Sequence, residues 1–377
     1  MNIVFSILYF LAIFFTNANI LLRVIKLNTF NKIRKLIVAL FSLIFALEIN
    51  ILSDINLVKE LLFYTLILLI FSTLIFLILM SLQYLKNKQI YSIDFAKNID
   101  IWEIVIFIPL FCIFLSKISF ELSIVYTFLA FFFFYKVCKN AIKTPKIKQI
   151  TLSNNKLKNN LKIALIADIH LKRNLNDDFF KKIVDRINEQ KPDLVAISGD
   201  LIDGSIKDIK CLHYLNDLSS IYGTFYVLGN HEYYHGVASI VEELKKYNIN
   251  ILDNKSIEFN DFVISGVNDL MGNKLNTFKP DINALKPNSL KANILLTHQP
   301  KFAKLHDVSS YDLILAGHTH AGQIFPFSLA VKLEQGFLYG YYKKYNMYVT
   351  SGAGFWGVVA RLIAKSEIVM INLKSKE

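Results

Sequence analysis

Cysteine is scarce in this 377-residue chain: Cys112, Cys138 and Cys211 are the complete set. Three is an odd number, and no metal-finger spacing links them, so neither a disulfide scaffold nor a cysteine-based zinc knuckle underlies the fold. Charge is also thin. Asp, Glu, Lys and Arg make up 19% of the residues, against about 25% in ordinary soluble domains. Histidine does not occur before His170, and no internal repeat is visible at solenoid periods. Nor is there a nucleic-acid recognition motif or an aromatic–basic RNA signature, so no nucleic-acid partner is expected despite a net charge of +12. What the chain has in excess is apolar surface. At 54% hydrophobic residues, it buries far too much to remain disordered.

That surface is unevenly distributed. Apolar runs occupy residues 3–22, 37–52, 61–82, 104–115 and 122–135. A membrane-spanning helix needs roughly 20 mostly apolar residues. The first and third runs meet that length, and the second does with its flanks. The last two are separated only by a short segment holding Lys117 and Glu121, which reads as a tight helical hairpin. One long tilted helix or a re-entrant segment fits the same composition. The first run lacks the basic start and small-residue cleavage site of a signal peptide. Lys and Arg in the successive flanking segments number zero, five, one, three, one and five. This alternation predicts five spans with the N-terminus outside and everything beyond residue 140 cytoplasmic, at the cell (inner) membrane. Four spans would reverse that side. The expected organisation is therefore a transmembrane helical domain over 1–138, a basic and polar linker over 139–160, and a third region over 161–374.

The third region alternates short apolar runs with amphipathic stretches. Strands are predicted near 161–167, 193–198, 223–228, 249–252, 262–265, 293–297, 312–316, 348–351 and 367–371. Helices are predicted near 177–190, 209–220 and 237–247. In the first helix, Phe179, Phe180, Ile183, Val184 and Ile187 share one face. The pattern predicts an α/β sandwich of two mixed sheets flanked by helices.

Five polar clusters directly follow predicted strands: Asp168-Ile169-His170, Gly199-Asp200, Gly229-Asn230-His231-Glu232, Thr297-His298 and Gly317-His318-Thr319-His320. Ligand sites of α/β sheets collect outside strand carboxyl ends. Carboxylate, amide oxygen and imidazole together suit divalent ions such as Mn, Fe or Zn. The absence of cysteine from the set argues against a closed structural zinc site. These residues are enough for two ions sharing one carboxylate, an arrangement that can clamp a phosphate and lower the pKa of a bridging water.

In this order the five blocks resemble those of the calcineurin-like metallophosphoesterases, over about residues 161–373. The resemblance implies a metal-dependent hydrolase of phosphate esters or anhydrides. It implies Asp168, His170 and His320 on one metal, Asn230, His298 and His318 on the second, and Asp200 bridging both. His231 would contact the phosphate and protonate the leaving oxygen. Manganese is the expected metal, with iron or zinc as the other choices.

Other residues have plainer readings. Asp203 in Asp-Gly reads as a turn cap, and Glu232 as an orienter of backbone. His213 and His306 read as surface residues, and His235 as one more, with substrate contact as its alternative. The apolar stretches 323–327 and 352–361, the second ending in Arg361, could face acyl chains or a bilayer with Arg361 near a phosphate. A buried hairpin and edge strand would account for them equally well. Apolar helices first and this tail last make the chain similar to the membrane-anchored branch of the family. That similarity implies membrane lipids as partners and a phosphorylated or lipid-pyrophosphate substrate such as UDP-2,3-diacylglucosamine. The alternative is a non-catalytic membrane sensor or scaffold that only binds ligand. The oligomeric state is left open.

Overall fold

The computed structural model describes residues 120–172, 177–325, 327–357 and 359–375. The expected spans over 3–22, 37–52, 61–82 and 104–115 lie outside the described residues, as does the turn near Lys117. The fifth apolar run falls within a single helix, Phe120–Ile142. Among the described residues, no helix is long and apolar enough to cross a membrane.

Lys136–Glu377 forms one compact unit built on two six-stranded sheets. In the first, the order is β1 (Lys146–Asn154), β12 (Glu367–Ser375), β2 (Leu161–Ile166), β3 (Leu194–Ser198), β4 (Thr224–Val227) and β5 (Asn250–Ile251). In the second, it is β10 (Gly340–Tyr342), β11 (Met347–Val349), β9 (Leu313–Ala316), β8 (Ala292–Leu296), β7 (Phe262–Gly266) and β6 (Lys255–Glu258). Strands β2 to β5 run parallel, and β12 enters antiparallel to β2. Strands β7, β8, β9 and β11 are likewise parallel, with antiparallel strands at each edge. Both sheets are therefore mixed, as the strand–helix alternation predicts.

Alternation along each strand decides the layering, because successive side chains point to opposite faces. Ile163 and Leu165 of β2, Ala196 of β3, and Phe225 and Val227 of β4 face the second sheet. There they meet Ile294 and Leu296 of β8 and Leu313 and Leu315 of β9. Each such aliphatic or aromatic side chain contributes about 1.5–3 kcal/mol by burial. The intervening residues Ala164, Ile166, Val195, Ile197 and Tyr226 face outward onto the helices Asp177–Glu189 and Val237–Leu244. Both faces of these strands are buried, which explains their continuous apolar runs. Helix Asp177–Glu189 places Phe179, Phe180, Ile183, Val184 and Ile187 in that layer.

The segment expected to be a linker, 139–160, instead carries β1. Its nine residues pair in parallel register with the whole of β12. Its polar, half-buried alternation (Lys146, Lys148 and Gln149 among Ile147 and Ile150) is that of an edge strand, which composition alone reads as linker. The helix expected near 209–220 is a 3-10 helix, Cys211–Asp217. Among the described residues, neither a hairpin nor an edge strand forms over the two C-terminal apolar stretches. A helix, Phe327–Gln335, follows the first, and residues 352–366 contain no regular element among those described.

Candidate metal centre

Four of the five polar clusters leave the carboxyl ends of the parallel strands β2, β3, β8 and β9, and the fifth follows β4 as the one-turn helix Asn230–Tyr234. All seven candidate metal-holding side chains converge. Among the described residues, four overlapping groups have donor atoms within 4.8 Å of one another: Asp168, His170 and His320; His170, Asp200 and His231; Asp200, His298 and His318; and Asp203, His231 and His235. Asn230 joins them through Oδ1, 3.1 Å from His298 Nε2.

The turns that aim these groups are strained. Asp168, His170, Asp200, His318 and His320 have φ of +56°, +54°, +51°, +72° and +48°. Left-handed backbone at non-glycine residues costs about 1–3 kcal/mol each and persists only where surrounding contacts over-determine it. Those contacts are present. The Asp168 carboxylate accepts the main-chain N–H of His318 at 2.9 and 3.0 Å, tying the end of β2 to the end of β9 across 150 residues. Two glycines make the approach possible. A Cβ on Gly317 would lie 2.7 Å from Asp168 Oδ2, and one on Gly229 would overlap Asp200.

The donor set fits a cation. His298 Nδ1 donates to the Ser198 carbonyl at 2.8 Å, so its Nε2 presents a lone pair. Facing that lone pair are Asp200 Oδ2 at 3.2 Å, Asn230 Oδ1 at 3.1 Å and His318 Nδ1 at 3.2 Å. His170 and His320 bring Nε2 within 2.9 Å of Nε2, and with Arg361 Nη2 donating to His320 Nδ1 the neutral His320 ring donates from Nε2 to His170. Around His298, electron-pair donors packed this closely need positive charge between them. The acid–base balance says the same. Burial pushes His298 down, but the Asp200, Asp168 and Asp269 carboxylates overcome it and raise His298 well above the ordinary imidazole range. Burial likewise pushes Asp200 up, and His298 and His231 outweigh it and hold the carboxyl well below its usual range. A site that draws a proton onto a buried imidazole is one that accepts a divalent ion in its place.

His231 lies beside this cluster. Its Nδ1 hydrogen bonds to Asp203 Oδ1 at 2.9 Å, which directs Nε2 away from the carboxylate. Asp203 is buried, and the same oxygen contacts His235 Nε2 at 3.2 Å. Burial pushes the Asp203 carboxyl up, but the hydrogen bonds from His231 and His235 hold it well below its ordinary range. Asp203 thus holds His231 and His235, where its Asp-Gly sequence reads as a turn cap. Its spacing of three residues from Asp200 is the only local signal of the role. His235 sits against Asp203 with its ring centroid 6.3 Å from that of His231. His213 is exposed, and His306 stacks on Phe302, both outside the cluster.

Glu232 orients backbone, as its position suggested. Its oxygens accept the N–H groups of Gly229 at 2.7 Å, Ile202 at 2.8 Å and Asp200 at 3.2 Å. The first is the return bond of a capping box at the start of the Asn230–Tyr234 helix. Arg361 differs from its expected place near a substrate phosphate. It is 1% exposed, with Nε donating to Gly354 O at 2.8 Å and Nη2 to Ser351 O at 2.9 Å. Nη2 also lies 3.1 Å from His320 Nδ1, behind the metal groups rather than in front of them. Burial lowers its pKa to about 10, which leaves it cationic at neutral pH.

The apolar stretches form the lip of the site. Trp356 is half-exposed, 6.4 Å from the His231 ring and stacked at 6.3 Å on Phe327. The Gln323 side chain holds this lip by bonding both the N–H and the carbonyl of Trp356, at 2.8 and 2.7 Å.

Comparison with known proteins agrees with the site. Residues 161–322 match the family described as calcineurin-like phosphoesterase. A Campylobacter jejuni protein named as an uncharacterized metallophosphoesterase is 48% identical over 268 residues, covering 69% of this chain and 71% of that one. A Helicobacter pylori protein of the same description is 45% identical over 251 residues, 65% of this chain and 68% of its own length. A zebrafish (Danio rerio) protein named as a transmembrane protein with metallophosphoesterase domain is 32% identical over 256 residues, 62% of this chain and 59% of its own.

Proposed function

Since the chain belongs to the calcineurin-like metallophosphoesterases and is a metal-dependent phosphoester hydrolase, we propose that it is a membrane-anchored enzyme cleaving a lipid-linked phosphate ester or pyrophosphate. The observation that carries this reading is a partly apolar cavity reached from the residue that follows His320. Ala321, the residue after His320, lines a cavity of about 600 Å³ together with Phe325, Leu338, Leu362 and Ile363; Lys146, Lys148, Lys365 and Glu367 also line it. That combination suits an acyl chain carrying an anionic head. The aromatic lip of Phe327 and Trp356 supports the same reading. Membrane anchoring is supported by the apolar runs before residue 136 and by the zebrafish relative's name. The charge alternation of the flanking segments favours the cytoplasmic side of the cell membrane.

Asp168, His170 and His320 would hold one divalent ion, and Asn230, His298 and His318 a second, with Asp200 between them; manganese suits this oxygen–imidazole set. Two such ions would supply Lewis-acid charge to phosphoryl oxygens and would acidify an attacking water. The chain's own residues do the rest. Asp203 holds His231 with Nδ1 engaged, so that the proton moved to the leaving oxygen comes from Nε2. Water adds to phosphorus as the bond to the leaving oxygen breaks, and that oxygen departs protonated. General acid catalysis of this kind contributes about 10²–10⁴ in rate. The low-lying Asp203 carboxylate favours the imidazolium that donates.

The test is hydrolysis by the purified full chain with Mn²⁺, comparing UDP-2,3-diacylglucosamine with soluble phosphodiesters and cyclic nucleotides. The lipid-linked substrate is expected to be strongly preferred, with turnover lost in Asp200→Ala. Equal rates on soluble substrates would overturn the lipid reading. Absence of turnover on all of them, with metal content verified, would favour the ligand-binding sensor instead.

A further inference from the structure

The helix Phe327–Gln335 is built inside out. A helix on a globular surface buries its apolar stripe and shows polar residues to water. Here Gln335 is the buried residue, its Nε2 donating to Gln299 Oε1 at 3.3 Å, while Leu329 and Leu333 are 58% and 86% exposed. These leucines stand one turn apart with exposed Ala330 beside them, so the outward face is the apolar one.

The face continues beyond the helix. The Phe327 ring stacks on Trp356, and Phe325 and Ile363 are exposed where they line one cavity. The Gln323 carbonyl accepts the Leu362 N–H at 2.9 Å, which ties the stretch 323–333 to the stretch 356–363. Large apolar side chains gathered in this way mark a partner or a membrane rather than ordinary surface.

The course of the chain and its charge say which. The main-chain N–H of Arg361 donates to Val137 O at 3.1 Å, and Val137 is two residues beyond the apolar run 122–135. Consecutive Cα atoms are about 3.8 Å apart, so the end of that run lies within about 8 Å of Val137. A bilayer that holds the run therefore lies beside residues 361–363 as well. Lys146, Lys148 and Lys365 line the cavity with Phe325 and Ile363, and Lys332 is exposed on the helix. Of the acidic neighbours, Glu334 pairs with Lys301 at 3.0 Å, and Glu367 is buried against Tyr348 and Thr350. Lysines around an apolar face suit anionic headgroups, and Trp and Phe suit the boundary beneath them.

We propose that this face docks on the anionic leaflet in which the chain is anchored, seating Leu329, Leu333 and Trp356 at the headgroup–acyl boundary. The inference rests on the membrane anchoring proposed above and is independent of a lipid-linked substrate. The Trp356 ring is 6.4 Å from that of His231. Docking would therefore turn the lip of the metal centre toward the headgroups.

The chain has two tryptophans, Trp102 and Trp356, and each reports one event. Trp102 precedes the apolar run 104–115 and reports anchoring, whereas Trp356 reports docking. Trp356→Phe and Trp102→Phe leave one reporter each in the full chain, reconstituted into vesicles of phosphatidylglycerol and acyl-brominated phosphatidylcholine, which quenches indole fluorescence on contact. Both reporters are expected to be quenched. Leu329→Glu with Leu333→Glu should weaken docking on the order of 10²-fold, read as loss of quenching at Trp356 and not at Trp102. An unchanged circular dichroism spectrum shows that this variant is folded; Leu333→Glu alone, at the more exposed position, replaces it otherwise. Exchanging phosphatidylglycerol for plain phosphatidylcholine should reduce quenching at Trp356, and indifference to that exchange would overturn the choice of an anionic leaflet. Quenching of Trp102 alone would overturn the inference, with residues 1–119 or a second copy covering the face instead. Quenching of Trp356 that persists in the leucine variant would overturn it too, by reporting lipid held inside the cavity. Quenching of neither tryptophan would refute the anchoring itself, a result distinct from the others.

Discussion

Glu232 and Asp200 are joined by a carboxylate-to-backbone bond. Glu232 Oε2 accepts the Asp200 N–H at 3.2 Å while also holding Gly229, and Oε1 holds Ile202. One buried side chain therefore shapes the left-handed turn that presents the central carboxylate. In Glu232→Gln, the amide NH2 would oppose at least one of those N–H groups. An unsatisfied buried donor costs about 1–3 kcal/mol, so denaturant unfolding of the metal-free protein should show a loss of about 2 kcal/mol. Mn²⁺ affinity should fall with it.

Asp203 and His231 separate catalysis from metal binding. In Asp203→Asn the residue loses its charge, and the imidazolium of His231 loses its stabilising partner. The expected result is a fall in kcat of about 10²–10⁴ with retained Mn²⁺ stoichiometry, read by steady-state kinetics beside metal analysis. Loss of metal along with rate would show that Asp203 acts on the ligand set instead.

The glycines test packing at the centre. Gly229 has an ordinary φ, but an added Cβ would overlap Asp200 Oδ1 and its main-chain nitrogen. Gly229→Ala should cost about 1–3 kcal/mol by overpacking and displace Asp200, with activity lost. Gly204→Ala is the control. Its Cβ would find no atom closer than 3.9 Å, and its melting temperature and rate should match wild type.

Metal affinity should weaken on acidification. Burial outweighs the attraction of His298 and raises the Asp168 carboxyl to about 7 in the metal-free protein. An ion requires the deprotonated form, so protons compete with it below that pH. The Asp168 proton is expected to weaken binding by up to about tenfold per pH unit below about pH 7, in addition to the loss from displacing the proton that His298 holds well above the ordinary imidazole range. Calorimetric titration with Mn²⁺ between pH 5.5 and 8.5 provides the check. A flat profile would remove Asp168 from the ligand set.

Cys211 reports on global opening. It is 4% exposed, and burial, followed by the charge of Asp177, raises its thiol to about 11. Thiolate is the reactive form, so at pH 8 iodoacetamide should leave Cys211 unmodified in the folded protein and label it fully in denaturant. Mass spectrometry of the peptide distinguishes it from Cys112 and Cys138. Rapid labelling under native conditions would show that the layer between sheet and helices opens locally.

Much of the centre was legible because its determinants are local. Asp168, Asp200, His298 and His318 come within two residues of the ends of short apolar runs, and a run of that length bounded by glycine or a polar residue specifies a buried strand and its end. Once the strands are parallel, their carboxyl ends lie together. The order of the five blocks therefore places the ligand types at one edge of the sandwich without knowledge of any contact. The strands with a half-polar texture were the ones missed: β1 read as linker, and β6 and β10 left no apolar run to notice.

By itself, then, the sequence determined which chemical groups the centre contains, that they follow strands, and that the chain begins with long apolar runs. The tertiary structure decided which groups act on one another. Nothing near Asp203 in the chain distinguishes a turn cap from the partner of His231. Nothing near Arg361 announces that its guanidinium lies behind His320 rather than before a phosphate. Nor does local pattern show β12 crossing back to lie between β1 and β2, which carries Arg361 and its loop under the metal groups. Hydrophobic period and turn chemistry act over a few residues and are written in the order of the chain. Burial of a charge and the partner it finds depend on packing between segments far apart in that order, and exist only once the sheets have closed on each other.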